Sequence, residues 1–399
     1  MDKNGITQIA IAGYRSLRNV TWQPGRLNVV IGPNASGKSN LLKCLQLITK
    51  AADGGLEEYI DSEGGIGSIA WDRRDREIDV DVDLIKDLEL RWNSSCSFVL
   101  QRLGNSTNYK IKDEEWFFKV GQGIRAYYER DGEKLTSTGI SPETERGFRA
   151  AIQKPELLIA QSKSPFVEDE RLQLAHAALS GWWIMDDVHT DWNAPVRQAV
   201  TSRRETVLSR DGQNLPEVLH SLYETDYDFK DRIDAAMYAA FGDAYRELAF
   251  PPGAEQQIQL GVRWKSLSRP ETAANLSDGT LRFLLLITAL SVPDLPPLIA
   301  IDEPETGLHP SMMRIIAEYA ADAALRSQII FTTHSAAFLD VFSRENPPTT
   351  TLAKSIDGET QLTVVDPKLL SSWLKDYSLG TLYRTRELEQ MPPARETVA

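Results

Sequence analysis

Cysteine is scarce: the chain has only Cys44 and Cys96, with no C-x-x-C pair and no zinc-finger spacing. A disulfide framework and a thiolate metal site are thereby excluded, and both thiols read as small buried hydrophobes. Long apolar runs are also missing, since no stretch approaches the ~18 residues of a membrane span. The opening MDKNGITQIA lacks the basic and apolar regions of a signal peptide. A cytoplasmic protein with no membrane partner is the expectation. Nor is there an excess of positive charge, the net charge being −13. This argues against a generally basic nucleic-acid surface, although nucleic acid stays open as a partner through a local basic groove. Sustained heptads are absent, so long coiled-coil arms are not expected.

What is present, 399 residues at 42% hydrophobic content, suffices for one large core or two smaller ones. The strongest local signal is LNVVIGPNASGKSNLLKCLQLI. Residues 27–31 form a β-branched run suited to a buried parallel strand, and residues 40–48 carry helical periodicity. Between them G-x-x-x-x-G-K-S is complete from Gly32 to Ser39. Its glycines let backbone N–H groups wrap a β-phosphate, and Lys38 reaches the β and γ oxygens as a mobile charge. The Ser39 hydroxyl is placed for magnesium. Gly32, Asn34, Ala35, Ser36, Gly37, Lys38, Ser39 and Asn40 are therefore the candidate ATP contacts.

A second strand, residues 298–301 of LPPLIAIDEPETGLHP, ends at Asp302 and Glu303. Both acids emerge where nucleotides bind in open α/β sheets. The first is placed to hold the magnesium shell and the second to orient or deprotonate water. A third strand, residues 328–331 of SQIIFTTHSAAFLD, runs into His334, which is placed to sense the γ-phosphate or position that water. His176 and His220 lie in amphipathic helical stretches, and His189 has no second histidine close by to make a metal site.

NLSDGT stands at the start of another helix, before LRFLLLITAL. A helix N-terminus with a free hydroxyl is an anion site. It is surplus in a monomer whose phosphate site is already built, but not in a head-to-tail dimer. There Ser277 and Gly279 would face the γ-phosphate held by another subunit's Lys38. N-capping by Ser277 of its own helix is compatible with this role.

GYRSLRNV, GPNASGKS, NLSDGTLRF, IDEPETGLHP and TTHS, in that order, resemble the ABC-type ATPase heads of the SMC, RecF and OLD group. Within it the chain is similar to compact prokaryotic predicted ATPases of the AAA family, many of them found in anti-phage defence or toxin-like systems. LSRDGQNLPEVLHSLYE (208–224) and LKDYSLGTLYRTRELE (374–389) resemble segments of that subgroup. The likeness is weakest over residues 51–206. It implies an α/β ABC-type P-loop head, with Lys38 and Ser39 as phosphate and magnesium contacts, Asp302 as a magnesium contact and Glu303 as the catalytic base. Ser277 and Gly279 become the trans signature and His334 the switch. Arg15, with Arg18, falls in a turn that lies near the adenine side in relatives, and a solvated strand edge is an equal reading. The signature usually has glycine where this chain has Asp278. Gln101 and Gln161 are weak candidates for a glutamine loop.

The expected domains are a head of residues 1–50 and 251–399 and an inserted lobe of 51–250, β-rich in its first half and helical from 165 to 250. Trp182 and Trp183 read as core filling in preference to a nucleic-acid stacking platform. The basic pair Arg203 and Arg204 is a modest feature in either case. After His334 there is too little chain for an OLD-type nuclease, so a separate effector protein is expected. The function expected is that of a magnesium-dependent ATPase that dimerises with nucleotide and controls such an effector, in a prokaryotic defence module. A RecF-like DNA-binding repair ATPase is the main alternative, and a nuclease hidden in the insertion a further one.

Overall fold

The computed structural model describes residues 5–394 apart from 74, 88–91, 105, 121–122, 140–141, 143–144, 147–148, 150–154, 164–168, 187–188 and 253–256. Strands β1 (Ile6–Tyr14) and β2 (Leu17–Trp22) form a hairpin, and β3 (Leu27–Ile31) leads into helix α1 (Lys38–Asp53). Two short helices, α2 (Leu56–Ser62) and α3 (Ile66–Ile69), follow. A meander comes next: β4 (Glu77–Asp87), β5 (Trp92–Arg102), β6 (Tyr109–Val120), β7 (Gly123–Asp131) and β8 (Lys134–Thr138). Helix α4 (Glu170–Ser180) precedes β9 (Trp183–Met185) and β10 (Val200–Thr201). Helices α5 (Leu215–Thr225) and α6 (Tyr227–Phe241) lead to β11 (Tyr245–Ala249), β12 (Gln257–Ile258), β13 (Gly261–Trp264) and β14 (Glu271–Thr272). Helix α7 (Asp278–Ser291), β15 (Leu298–Asp302), α8 (Pro310–Ala323), β16 (Gln328–Thr333), α9 (Ala336–Leu339), β17 (Thr349–Ile356) and β18 (Glu359–Val364) complete the sheets.

The central sheet runs β18-β17-β3-β16-β15-β9, parallel except for the β17–β18 hairpin. Its inner strands are near-continuous apolar runs because both faces are covered. Successive side chains go to opposite faces. Thus Val29, Ile31, Ile299, Ile301, Ile329 and Phe331 join one core with α7 and α8, while Val30, Leu298, Ala300 and Ile330 join the other with α1. The same alternation separates Trp182 and Trp183, which are buried in different cores. Both indoles fill core, which removes the stacking-platform reading.

The second sheet is antiparallel, ordered β2-β1-β4-β5-β6-β7-β8. In β4 the buried residues Ile78, Val80, Val82 and Leu84 alternate with Asp79, Asp81 and Asp83, the pattern of a sheet with one solvated face. The buried face packs over α1 through Ile9, Ile11, Leu41, Leu45 and Ile48. This pairing crosses the boundaries expected at 50 and 251, since β1 pairs with β4, and β9, from inside the expected insertion, pairs with β15. Strand periodicity reports a face and carries no partner, so the lobe limits could not be read from it.

The helical half begins with α4 at Glu170, the expected start at Pro165 lying outside the described residues. Among the described residues no helix exceeds the 16 of α1, in keeping with the missing heptads. None of these is long and apolar enough to cross a membrane.

Candidate functional site

Parallel pairing brings three strand ends to one edge. Ile31 lies beside Thr333, and Asp302 beside Thr332, so the loop after β3, the acids after β15 and the histidine after β16 emerge together. Gly37 caps α1 at φ 94°, a left-handed conformation that favours glycine. A Cβ there would come within 1.8 Å of Thr360 Oγ1, and one at Gly32 within 2.3 Å of the Ala353 carbonyl. The loop is therefore pressed against the β17–β18 hairpin. Thr360 Oγ1 donates to the Ser36 carbonyl at 3.1 Å and meets Ser16 Oγ at 2.6 Å, and Asn40 Nδ2 donates to Ser16 Oγ at 2.7 Å. Neither Ser16 nor Thr360 was foreseen as a loop contact: Ser16 lies within GYRSLRNV, where only the arginines were singled out, Thr360 sits in no quoted motif, and only the fold brings the two to the loop.

Lys38 is 4% exposed, and its ammonium donates to the carbonyls of Gly32 at 2.8 Å and Pro33 at 3.0 Å. Burial lowers its pKa, opposed by Asp302, Glu303 and Glu305. The Ser36 hydroxyl is buried without a hydrogen-bond partner, and Asn34 and Ala35 face solvent, the latter at φ 63°. An orphaned hydroxyl inside a glycine-lined loop beside a lysine fits a phosphate.

Ser39 Oγ donates to Asp302 Oδ2 at 2.8 Å, and the Thr332 hydroxyl donates to the other carboxylate oxygen. A hydroxyl and a carboxylate in contact are the oxygen donors that magnesium takes beside a phosphate chain. Glu303 has φ 44°, a backbone conformation that costs a non-glycine residue about 1–3 kcal/mol. Its N–H donates to the Thr332 carbonyl at 3.0 Å, and its carbonyl accepts from Arg282 at 3.1 Å, so the turn is held from both sides. The Glu303 carboxylate then meets His334 Nδ1 at 2.8 Å, both side chains being partly open to solvent.

Glu305 is a further acid that sequence reading passed over, although it lies within the quoted IDEPETGLHP. It is buried, accepts from the Thr333 hydroxyl and leaves Oε2 without a partner. Burial raises its pKa, against the Thr333 bond, which lowers it. Thr333 Oγ1 also accepts from the Ser335 N–H at 2.9 Å, so Glu305 pins the turn that carries His334. The signal available was its spacing two residues beyond Glu303.

Ser277 caps α7, its Oγ accepting from the Thr280 N–H at 3.2 Å. A Cβ at Gly279 would come within 2.6 Å of the Gly307 carbonyl, so the helix start is packed on the turn after β15. Among the described hydrogen bonds neither Ser277 nor Gly279 contacts the Lys38 group of its own chain. The Arg15 guanidinium is engaged by Glu63, and Arg18 by Glu359. Gln101 donates to Glu77 at 2.7 Å and Gln161 to Glu156 at 2.8 Å, both away from the loop's hydrogen bonds.

A G-x-x-x-x-G-K-S loop on a mixed central sheet, covered by an antiparallel sheet, is the P-loop fold of an SMC-like head. The chain belongs to the family described as AAA domain, putative AbiEii toxin, Type IV TA system, whose model matches residues 27–340. No curated protein matches it. Among solved structures it is similar to an SMC head bound to the C-winged helix domain of ScpA, with TM-score 0.56 at 11% identity over 92% of this chain and 99% of that one. An SMC head with a coiled coil and joint from Pyrococcus yayanosii gives TM-score 0.52 at 10% identity, over 94% and 99% of the two chains. One from Pyrococcus furiosus, with an extended coiled coil and bound to the C-terminal domain of ScpA, gives 0.51 at 11% identity, over 97% and 99%. At such identities the likeness is one of fold.

Proposed function

We propose that this protein binds and hydrolyses ATP, dimerises head to tail around the nucleotide, and passes that state to a separate effector in a prokaryotic defence module. The observation that carries the reading is the meeting of Lys38, the Ser39–Asp302 pair and the Glu303–His334 pair at one sheet edge. Lys38 exchanges two loop carbonyls for phosphate oxygens, a trade that stronger charge-assisted bonds favour. Magnesium, held by Ser39 and Asp302, would supply charge neutralisation at the phosphates. Glu303 takes the proton of the attacking water, and His334 holds that carboxylate in place.

The separate effector is suggested by the solved SMC heads, two of which carry a bound ScpA domain. The test of the dimer is complementation. A Ser277→Arg chain should bind ATP yet fail to turn it over, and so should a mixture made only of such chains. Mixing it with Lys38→Ala chains should restore one competent site, one mutant lending its phosphate loop and the other its signature. If mixing restores nothing while both proteins are folded, signature and phosphate loop do not act across subunits. DNA-stimulated turnover with a steep salt dependence would instead favour the RecF-like reading.

A further inference from the structure

The signature of this chain carries a carboxylate, Asp278, between Ser277 and Gly279, at the place where an anion would approach. Its side chain is 70% exposed, and it is paired with a residue far away in sequence, Arg197, whose own side chain is 6% exposed. Arg197 ends the short helical turn Pro195–Arg197, in a segment that no motif singles out. Its guanidinium makes four bonds. Nε donates to the Thr190 carbonyl at 2.7 Å, Nη1 to the carbonyls of Ala273 at 2.8 Å and Leu276 at 2.7 Å, and Nη2 to Asp278 Oδ1.

We propose that Arg197 is a positioning residue for the neighbouring subunit's nucleotide, holding the signature turn and neutralising Asp278 so that a phosphate can approach Ser277 and Gly279. The inference rests on the trans reading of the signature given above. Two effects combine in it. The carbonyls of Ala273 and Leu276, gathered on a buried cation, are kept from the face where an anion would dock, and the turn leading into Ser277 has one conformation. The guanidinium also cancels the only negative side chain in the first turn of α7. A lysine would not serve equally, because three carbonyls and a carboxylate around one group need the planar fork of arginine. A purely structural Arg197 would make the first effect alone. The second is a statement about charge, and charge can be removed from either partner.

The experiment uses the full chain in a Glu303→Gln background, where hydrolysis is blocked, and reads the ATP concentration at half-dimerisation by light scattering. ATP binding to the phosphate loop is followed separately with a fluorescent analogue at protein concentrations too low for dimers. Arg197→Gln should leave binding to the loop in place and raise the half-dimerisation concentration by at least about tenfold, or about 1.4 kcal/mol. Adding Asp278→Asn to it should recover most of that loss. A double variant as defective as the single one overturns the charge role, and so does normal dimerisation of Arg197→Gln. Should Arg197→Gln fail to fold, Asp278→Asn alone decides. It leaves an uncancelled cation beside the incoming phosphate, so the half-dimerisation concentration should fall and its salt dependence steepen. No change there overturns the proposal. If the parent Glu303→Gln protein itself does not dimerise with ATP, the trans reading has failed, and the inference falls with it.

Discussion

Glu303 and Lys38 differ in what each touches. The Lys38 ammonium bonds the loop that a phosphate would occupy, whereas the Glu303 carboxylate bonds His334. Lys38→Ala is therefore expected to weaken ATP retention by about a hundredfold or more, the scale of a lost charge-assisted contact. Glu303→Gln should retain ATP and lower turnover by about 10²–10⁴, the range of a lost general base. Equal loss of binding in both variants, measured by equilibrium dialysis, would remove Glu303 from the chemical step. Gly37 offers a backbone counterpart. Alanine there must hold φ 94° and also displace Thr360, so Gly37→Ala should lower stability by about 1–3 kcal/mol and abolish nucleotide binding. Calorimetry with and without ATP reads both effects. Glu305→Ala should leave ATP affinity unchanged and lower kcat by about tenfold, because the turn that aims His334 loses its anchor. A variant that changes affinity and not kcat would assign Glu305 to binding.

At the scale of elements, buried carboxylates tie the antiparallel sheet to the helical layer: Asp169, which accepts from the Tyr128 hydroxyl, and Glu114. Glu114, on β6, accepts from the Trp116 indole at 2.8 Å and from the Leu158 N–H at 2.8 and 3.0 Å, at the start of the short helical turn Leu158–Lys163. Burial pushes its pKa up from 4.5 to about 7, against the hydrogen bonds and the Arg130 charge, which lower it. The folded chain thus holds this proton more tightly than the unfolded one. Stability should fall as pH rises from about 4.5 to about 7 and be flat above, by roughly 3 kcal/mol if the whole shift is realised. Glu114→Gln cannot lose the proton, so urea unfolding of wild type and variant should diverge with pH across that window and run parallel above it. Parallel curves throughout would show that Glu114 does not titrate there.

For the whole molecule, the described residues hold no group of three or more His, Cys, Asp or Glu arranged for a metal. Asp302, Glu303 and Glu305 gather at the candidate site, and Asp79, Asp81, Asp113 and Glu115 on the solvated face of the antiparallel sheet. On the proposed function, pure protein given ATP with magnesium or manganese is expected to hydrolyse ATP slowly and leave DNA and RNA intact, damage requiring a second protein. Cleavage that persists in Glu303→Gln and is lost on mutating the residue range 51–250 would place a nuclease in this chain. Trapping ATP by Glu303→Gln should conversely freeze the complex with the effector, read as a slower off-rate.

The sequence by itself determined which strand ends carry the candidate site. Phosphate loop, Asp302–Glu303 and His334 are each a short apolar strand followed at once by its functional residues, and local order suffices to read such units. It also determined the absence of heptads and hence a compact head in place of long arms. Only the tertiary structure decided what supports that site. Ser16 and Thr360 brace the loop across 344 residues of chain, and Arg197 reaches Asp278 across 81. Glu305 acquires its role by meeting Thr333 from another strand, and β1 and β9 join sheets that sequence limits had divided. The physical reason is common to all of them: a hydrogen bond or a strand pair between distant segments leaves no periodicity in either segment, because each side chain needs only to be polar, and each strand only apolar, for its partner to be found in space.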